Sequence, residues 1–224
     1  MAHIRSLGGV EHLTDPFVRE RLPDSASWPR LQFDLPELQY PDRLNAAVDL
    51  LDKACEAGEG DRIAVLNDAG SWTYSEMRDL SDRIARLLVE DGRLVPGNRV
   101  LLRGPNTCML IACWFGVLKA GGVAVTTMPM LRSAELGPIL AKGRVTHALV
   151  DARTLQDWRH AADAAEDLRW TATFDGDAGT GALETLIASL EAGFSPVMTR
   201  GDDPALIAFT SGTTGQPKGC VHDH

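Results

Sequence analysis

The sequence predicts an α/β protein with a mostly parallel β-sheet covered by helices on both faces. Short strands alternate with helices along most of the chain, and this order is typical of parallel sheets. The strands are apolar throughout, as in VAVTT at 123–127, which is the composition of strands that are buried on both faces. The helix predicted at 107–120 is apolar all round, so we expect it to be buried.

The individual elements follow from periodicity and from helix-end signals. Thr73 and Glu76 have the spacing of a capping box, and the amphipathic helix that they begin should end at Gly92. Ser133 should cap a short helix that Pro138 interrupts. The other helices are expected at 45–57, 107–120, 152–166 and 182–192, and the strands at 62–66, 71–74, 99–103, 123–127, 147–150, 170–174 and 205–210.

Residues 1–44 differ from the rest of the chain because they are rich in proline and charge. Each proline removes a backbone donor and fixes one torsion, which favours an extended arm lying on the folded body. Its expected anchors are Trp28, Phe33, Leu35, Leu38 and Tyr40. A partly disordered leader is the alternative.

Composition limits the function classes. The 224 residues carry a formal net charge of −9, which argues against nucleic acid as a partner because phosphate-backbone binders need clustered Lys and Arg. The four cysteines form neither CxxC pairs nor a disulfide framework. The longest apolar stretch, at 108–120, is interrupted by Gly116 and Lys119 and is too short for a membrane span. These features predict a cytoplasmic protein.

The segment TSGTTGQPKG at 210–219 carries the chemistry. Its glycines allow close backbone approach to a ligand, its hydroxyls and exposed N–H groups are donors, and Lys218 adds a positive charge. The expected ligand is a polyphosphate. A P-loop is disfavoured: Lys218 stands six residues after Gly212, but Gly219 follows it where that motif needs Ser or Thr for Mg²⁺.

These ten residues resemble the signature phosphate loop of the adenylate-forming superfamily, which includes acyl- and aryl-CoA ligases, peptide-synthetase adenylation domains and luciferases. The segments WTYSEMRDLSDRIARLL at 72–88 and FGVLKAGGVAVTTMP at 115–129 are similar to two earlier family segments in the same order. The fold class that this implies is part of the large N-terminal domain of an adenylate-forming enzyme. The leader together with Cys220-Val221-His222 is similar to 2-aminobenzoate–CoA ligases and related aryl-CoA ligases.

The resemblance implies an AMP-forming acid–CoA ligase that uses ATP, Mg²⁺ and coenzyme A and activates an aryl carboxylate of the benzoate or 2-aminobenzoate type. It implies no catalytic residue and no metal ligand in this chain. The residues it assigns to the ATP phosphates are Thr210, Ser211, Gly212, Thr213, Thr214, Gly215 and Lys218.

In this family the adenine, ribose and acyl sites and the mobile C-terminal domain follow the phosphate loop. We therefore expect residues 45–224 to be an N-terminal subdomain that ends at the loop, and the chain alone to be inactive. The alternative is a naturally truncated, non-catalytic domain that binds a nucleotide or a partner. The strand at 205–210 should leave an exposed sheet edge, so a homodimer is a further expectation.

Other residues have simpler interpretations. His222 and His224 could form a metal pair on one face of a strand, but solvated histidines are favoured because no ligand cluster lies nearby in the sequence. Cys108 and Cys113 should be core thiols, and Trp72 and Trp114 should be packing anchors. The acidic residues Asp151, Asp157, Asp163, Glu166 and Asp167 should form a solvated face.

Overall fold

A computed structural model describes residues 13–30, 32–68, 70–175, 181–210 and 217–224. The main sheet has six strands in the order β6-β5-β3-β4-β7-β8. Its strands are β3 Arg99–Arg103, β4 Val123–Thr127, β5 His147–Asp151, β6 Trp170–Phe174, β7 Pro204–Thr210 and β8 Lys218–Asp223. The first five run parallel, and β8 is antiparallel to β7.

Two smaller features precede the main sheet. A π-helical turn, Val48–Asp52, continues as helix α1, Lys53–Glu56. Strands β1, Ile63–Asn67, and β2, Gly70–Thr73, then pair as an antiparallel hairpin. Both features agree with the helix predicted at 45–57 and the strands predicted at 62–66 and 71–74.

Helices cover both faces of the sheet, as predicted. The remaining helices are α2 Tyr74–Glu90, α3 Cys108–Lys119, α4 Ser133–Gly143, α5 Leu155–Ala162 and α6 Ala182–Ala188. Helices α2, α3 and α6 pack with alternate residues of β3, such as Val100 and Leu102, in one apolar cluster. Helices α4 and α5 pack against the opposite face, which includes Leu101.

Several local predictions are confirmed. Thr73 and Glu76 form a reciprocal capping box at the start of α2, and α3 is largely buried. Cys108 and Cys113 are 2% and 0% exposed, so they are core thiols. Burial raises the pKa of Cys113 well above its ordinary value. Trp72 and Trp114 are partly buried against the same apolar cluster.

Other local predictions are wrong. Ser133 is the first residue of α4 rather than its cap, and the helix continues through Pro138. The acidic stretch is not wholly solvated, because Asp151 is 0% exposed and its carboxylate accepts hydrogen bonds from Arg153. The strand at 205–210 is not the sheet edge, because β8 pairs with it from Pro204↔Asp223 to Thr210↔Lys218.

The N-terminal arm is anchored by residues other than those predicted. Phe33, Leu35, Leu38 and Tyr40 are 36–61% exposed. Trp28 is half-buried, and its indole N–H donates to the Pro23 carbonyl oxygen within the arm itself. The anchor lies earlier, where Phe17 and Val18 join the core on the α4–α5 face. The carboxylate of Asp15 contacts Asn98 and Arg99 at the start of β3. The arm therefore docks through a short segment near the amino ends of the parallel strands.

Lys119 is the clearest feature that sequence reasoning missed. Its side chain is fully buried, and its ammonium lies 2.6 Å from Asp82 Oδ1 and 2.7 Å from Asp52 Oδ1. Asp82 also accepts a hydrogen bond from the backbone of Gly193. A lysine at the end of an apolar helix was the sequence signal for a buried ion pair, because a charge that is buried with such a helix needs a partner of opposite charge. The sequence did not indicate which carboxylates would supply them.

No helix among the described residues is long and apolar enough to cross a membrane.

Candidate phosphate-binding site

The candidate site lies at the tip of the hairpin formed by β7 and β8. Thr210 ends β7, Lys218 begins β8, and the two residues face each other as the last pair of the register. Both are exposed to solvent. The structure therefore brings together two residues that the sequence assigned to a polyphosphate. The other assigned residues, Ser211, Gly212, Thr213, Thr214 and Gly215, lie outside the described residues.

The position of this tip within the sheet suits a ligand site. Strands β3, β4 and β7 run parallel, so their carboxyl ends lie at one edge. Open parallel sheets bind ligands in the crevice at that edge. Thr126 of β4 pairs with Ala208 of β7. Met128 and Thr210, each two residues further along, therefore lie at the same height at the carboxyl ends of these neighbouring strands.

The packing of Phe209 supports the hairpin below its tip. A Cβ atom at Gly219 would lie 3.4 Å from the Phe209 ring and 3.0 Å from Ile207. A Cβ atom at Gly143, the last residue of α4, would lie 3.8 Å from the same ring. The ring thus lies between the start of β8 and the end of α4, where it packs against the core on the α4–α5 face. Glycine at 219 allows the two strands and the ring to approach closely.

A hydrogen bond links α4 to the residue before Lys218. The ammonium of Lys142 donates to the carbonyl oxygen of Pro217 at 2.8 Å. The sequence did not single out Lys142, because 75 positions separate the two residues. Two lysines, Lys142 and Lys218, therefore lie where the chain enters β8.

Arg103 organises the neighbouring loop at the same edge. It ends β3, is 1% exposed, and donates to the carbonyl oxygens of Met128, Pro129 and Leu131 at 3.0, 3.0 and 2.6 Å. Burial lowers the pKa of Arg103 from its ordinary value. The Arg103 guanidinium fixes the path of the chain after β4. An arginine directly after the apolar residues of β3, at the end of a strand that is buried throughout, was the sequence signal for this role.

The structure places the histidines at 222 and 224 in different surroundings. His222 is exposed on β8, whereas Nδ1 of His224 accepts a hydrogen bond from the backbone N–H of Ala46 at 3.1 Å. Burial lowers the pKa of His224 to about 4. The expectation of a solvated side chain is therefore wrong for His224. Within the part of the chain that the structure describes, no group of three or more His, Cys, Asp or Glu side chains is placed to hold a metal.

Comparison with known proteins shows the family to which the sequence is similar and the solved structures that share its fold. A model of a family described as AMP-binding enzyme matches residues 51–224. Benzoate–CoA ligase from Thauera aromatica is 30% identical over 189 residues, which are 84% of this chain and 36% of that ligase.

Two solved structures share the fold. The anthranilate–CoA ligase AuaEII in complex with anthranoyl-AMP has a TM-score of 0.75 at 21% identity and covers 83% of this chain. ATP-bound MatB from Rhodopseudomonas palustris has a TM-score of 0.71 at 27% identity and covers 80% of this chain. The match covers 34% of AuaEII and 35% of MatB, so the chain spans about a third of the length of these relatives.

Proposed function

Because this chain belongs to the AMP-binding enzyme family, we propose that it supplies the ATP-phosphate site of an AMP-forming acid–CoA ligase. The observation that carries the proposal is the pairing of Thr210 with Lys218 at the carboxyl edge of the sheet. It places a hydroxyl and an ammonium at the two ends of a segment rich in glycine and hydroxyl side chains. The residues proposed to hold the phosphates are Thr210, Ser211, Gly212, Thr213, Thr214, Gly215 and Lys218.

The proposed reaction has two steps. An oxygen of the acid's carboxylate attacks the α-phosphorus of Mg·ATP, the bond to the β-phosphate oxygen breaks, and an acyl-adenylate and pyrophosphate form. The thiol of coenzyme A, losing its proton, then attacks the acyl carbon, and AMP leaves. The Lys218 ammonium and the loop donors would stabilise negative charge on the departing pyrophosphate, and donors that are held in place beforehand need no reorganisation.

We propose an aryl carboxylate, of the benzoate or 2-aminobenzoate type, as the acid. Similarity to the benzoate–CoA ligase of T. aromatica supports this class, as does the resemblance of the leader to 2-aminobenzoate–CoA ligases. An antibody to residues 1–224 could capture the native protein from its source for assay. Thioester formation with benzoate or 2-aminobenzoate, and none with acetate or octanoate, is the expected result; the reverse preference would refute the aryl class.

Binding to the 224-residue chain tests the phosphate site directly. Isothermal titration should detect pyrophosphate and Mg·ATP, with weaker binding of AMP, which lacks the β- and γ-phosphates. Lys218→Ala should weaken pyrophosphate binding about 10- to 100-fold, because the bond to a charged group contributes about 1.5–3 kcal/mol. Lys53→Ala is the matched control, since Lys53 pairs with Asp49 on the surface of α1.

Equal binding by the Lys218→Ala and wild-type chains would overturn the assignment. Acid-dependent ATP–pyrophosphate exchange is expected to be absent from the chain alone, which spans about a third of its relatives. Exchange by the purified chain would contradict that expectation. Binding without any ligase activity in the captured native protein would favour the alternative of a non-catalytic nucleotide-binding domain.

A further inference from the structure

We propose that Lys142 is a positioning residue for the phosphate site, an inference that rests on the function proposed above. Lys142 lies in the last turn of α4, and its ammonium donates to the Pro217 carbonyl oxygen at 2.8 Å. Pro217 directly precedes Lys218, the proposed phosphate ligand. Lys142 therefore acts on the ligand through the backbone of its neighbour.

The backbone geometry explains how this contact orients Lys218. The carbonyl of Pro217 and the N–H of Lys218 share one rigid peptide plane. The proline ring fixes φ of residue 217, so ψ of Pro217 is the remaining soft torsion before that plane. A hydrogen bond to the Pro217 carbonyl sets ψ, while pairing with Thr210 holds Lys218 from the other side. Together they orient the backbone N–H of Lys218 and the point on the backbone from which its side chain leaves.

The end of α4 is a firm base for this contact. Arg99 is 2% exposed, and its guanidinium donates to the carbonyl oxygens of Gly143 at 3.0 Å and Arg144 at 2.8 Å. The ring of Phe209 lies near both Gly143 and Gly219, where an added Cβ atom would come within 3.8 and 3.4 Å of it. The end of α4 and the start of β8 are thus held together at two places. One is the ring of Phe209, and the other is the hydrogen bond from Lys142 to Pro217.

Lys142→Met tests the proposal because methionine has a similar length without a donor or charge. The probe is inorganic pyrophosphate, titrated into the 224-residue chain. We expect affinity to fall about three- to tenfold, the range for loss of one hydrogen bond of ordinary strength. Lys142→Arg, which restores a donor, should recover most of the affinity. Lys53→Met, which removes an exposed lysine from α1, should bind as the wild type does.

Two further measurements separate positioning from other roles. The thermal midpoint of Lys142→Met should match that of the wild type, because the side chain is exposed; a fall of several degrees together with the affinity would show a structural role and overturn the proposal. The loss should also persist at about 0.5 M NaCl, where exposed charges are screened. A loss that disappears in salt would assign Lys142 a purely electrostatic role and overturn positioning.

Lys218→Ala, measured alongside, keeps the two proposals apart. Loss of binding in Lys218→Ala with none in Lys142→Met would overturn the role of Lys142 alone. Unchanged binding in Lys218→Ala, or no pyrophosphate binding by the wild-type chain, would overturn the proposed phosphate site and the role of Lys142 with it.

Discussion

Replacing Lys119 with methionine should destabilise the chain by about 3–5 kcal/mol, because the change leaves buried carboxylates without their cation. Lys119 is 0% exposed, and the side chains of Asp52 and Asp82 are 13% and 6% exposed. Asp82 accepts a hydrogen bond from the ammonium, whereas the nearest Asp52 oxygen makes a charge contact without hydrogen-bond geometry. The three groups carry a net charge of −1 with the lysine and −2 without it.

The loss is large compared with the total stability expected of a domain, which is about 5–15 kcal/mol. In a chain of this size it corresponds to a fall in the thermal midpoint of about 6–20 °C. Urea unfolding followed by tryptophan fluorescence gives the free energy directly. Lys53→Met is the control, because its exposed pair with Asp49 should contribute no more than about 0.5 kcal/mol.

The pH dependence gives a second check on the same reasoning. Burial raises the pKa of Asp52 in the folded chain, although Lys119 opposes the shift. A carboxyl group whose pKa is raised in the folded chain stabilises the fold when it is protonated. This contribution to the free energy of unfolding is fully present below about pH 4 and is lost as the pH rises. The deficit of Lys119→Met should therefore shrink as the pH falls towards about 4 and Asp52 takes up a proton. A loss below about 1 kcal/mol that does not vary with pH would refute a buried triad.

Two further predictions concern a buried histidine and a buried glycine. Burial lowers the pKa of His147, whose Nε2 donates to the Gly92 carbonyl at 2.8 Å, so its contribution to stability is present above about pH 6.5 and lost at lower pH. The midpoint of urea unfolding, measured from pH 8 to pH 5, should fall less steeply with pH in His147→Gln than in the exposed control His160→Gln. Because His224 is present in both variants, some decrease should remain in each. An equal decrease in the two variants would contradict the prediction. Gly104→Ala should cost about 1–3 kcal/mol, because its Cβ would lie 2.9 Å from Asp151 Cβ and 3.1 Å from the Phe174 ring. Gly137→Ala is the control, because a Cβ atom there would have no atom within 4 Å beyond its chain neighbours and the backbone of its own helix. Equal stability of the two variants in urea unfolding would contradict the overpacking.

The sequence by itself determined most of the local elements and singled out the segment that we propose to bind phosphate. Helix starts such as Thr73 with Glu76 depend on residues a few positions apart, and the apolar strands carry their burial in their own composition. The loop motif is likewise contiguous, so its chemistry could be interpreted without a fold. The boundary at Ser133 was wrong because serine also occurs inside the first turn of a helix. Pro138 does not end α4 because Leu136, Ile139 and Leu140 pack into the core on both sides of it in the sequence, and tertiary packing can override local propensity.

Only the tertiary structure decided which distant residues meet. Lys119 and Asp82 are 37 positions apart, Lys142 and Pro217 are 75 apart, and Asp15 and Arg99 are 84 apart. No local pattern encodes these pairings, because the chain has 31 Asp and Glu residues and nothing beside Lys119 or Arg99 in the sequence singles out the carboxylate that each one meets. The sequence also does not determine which residues anchor the N-terminal arm, because an extended segment can bury any of several apolar residues. The packing surface left by β3 and α4 selects Phe17 instead of the later aromatic residues.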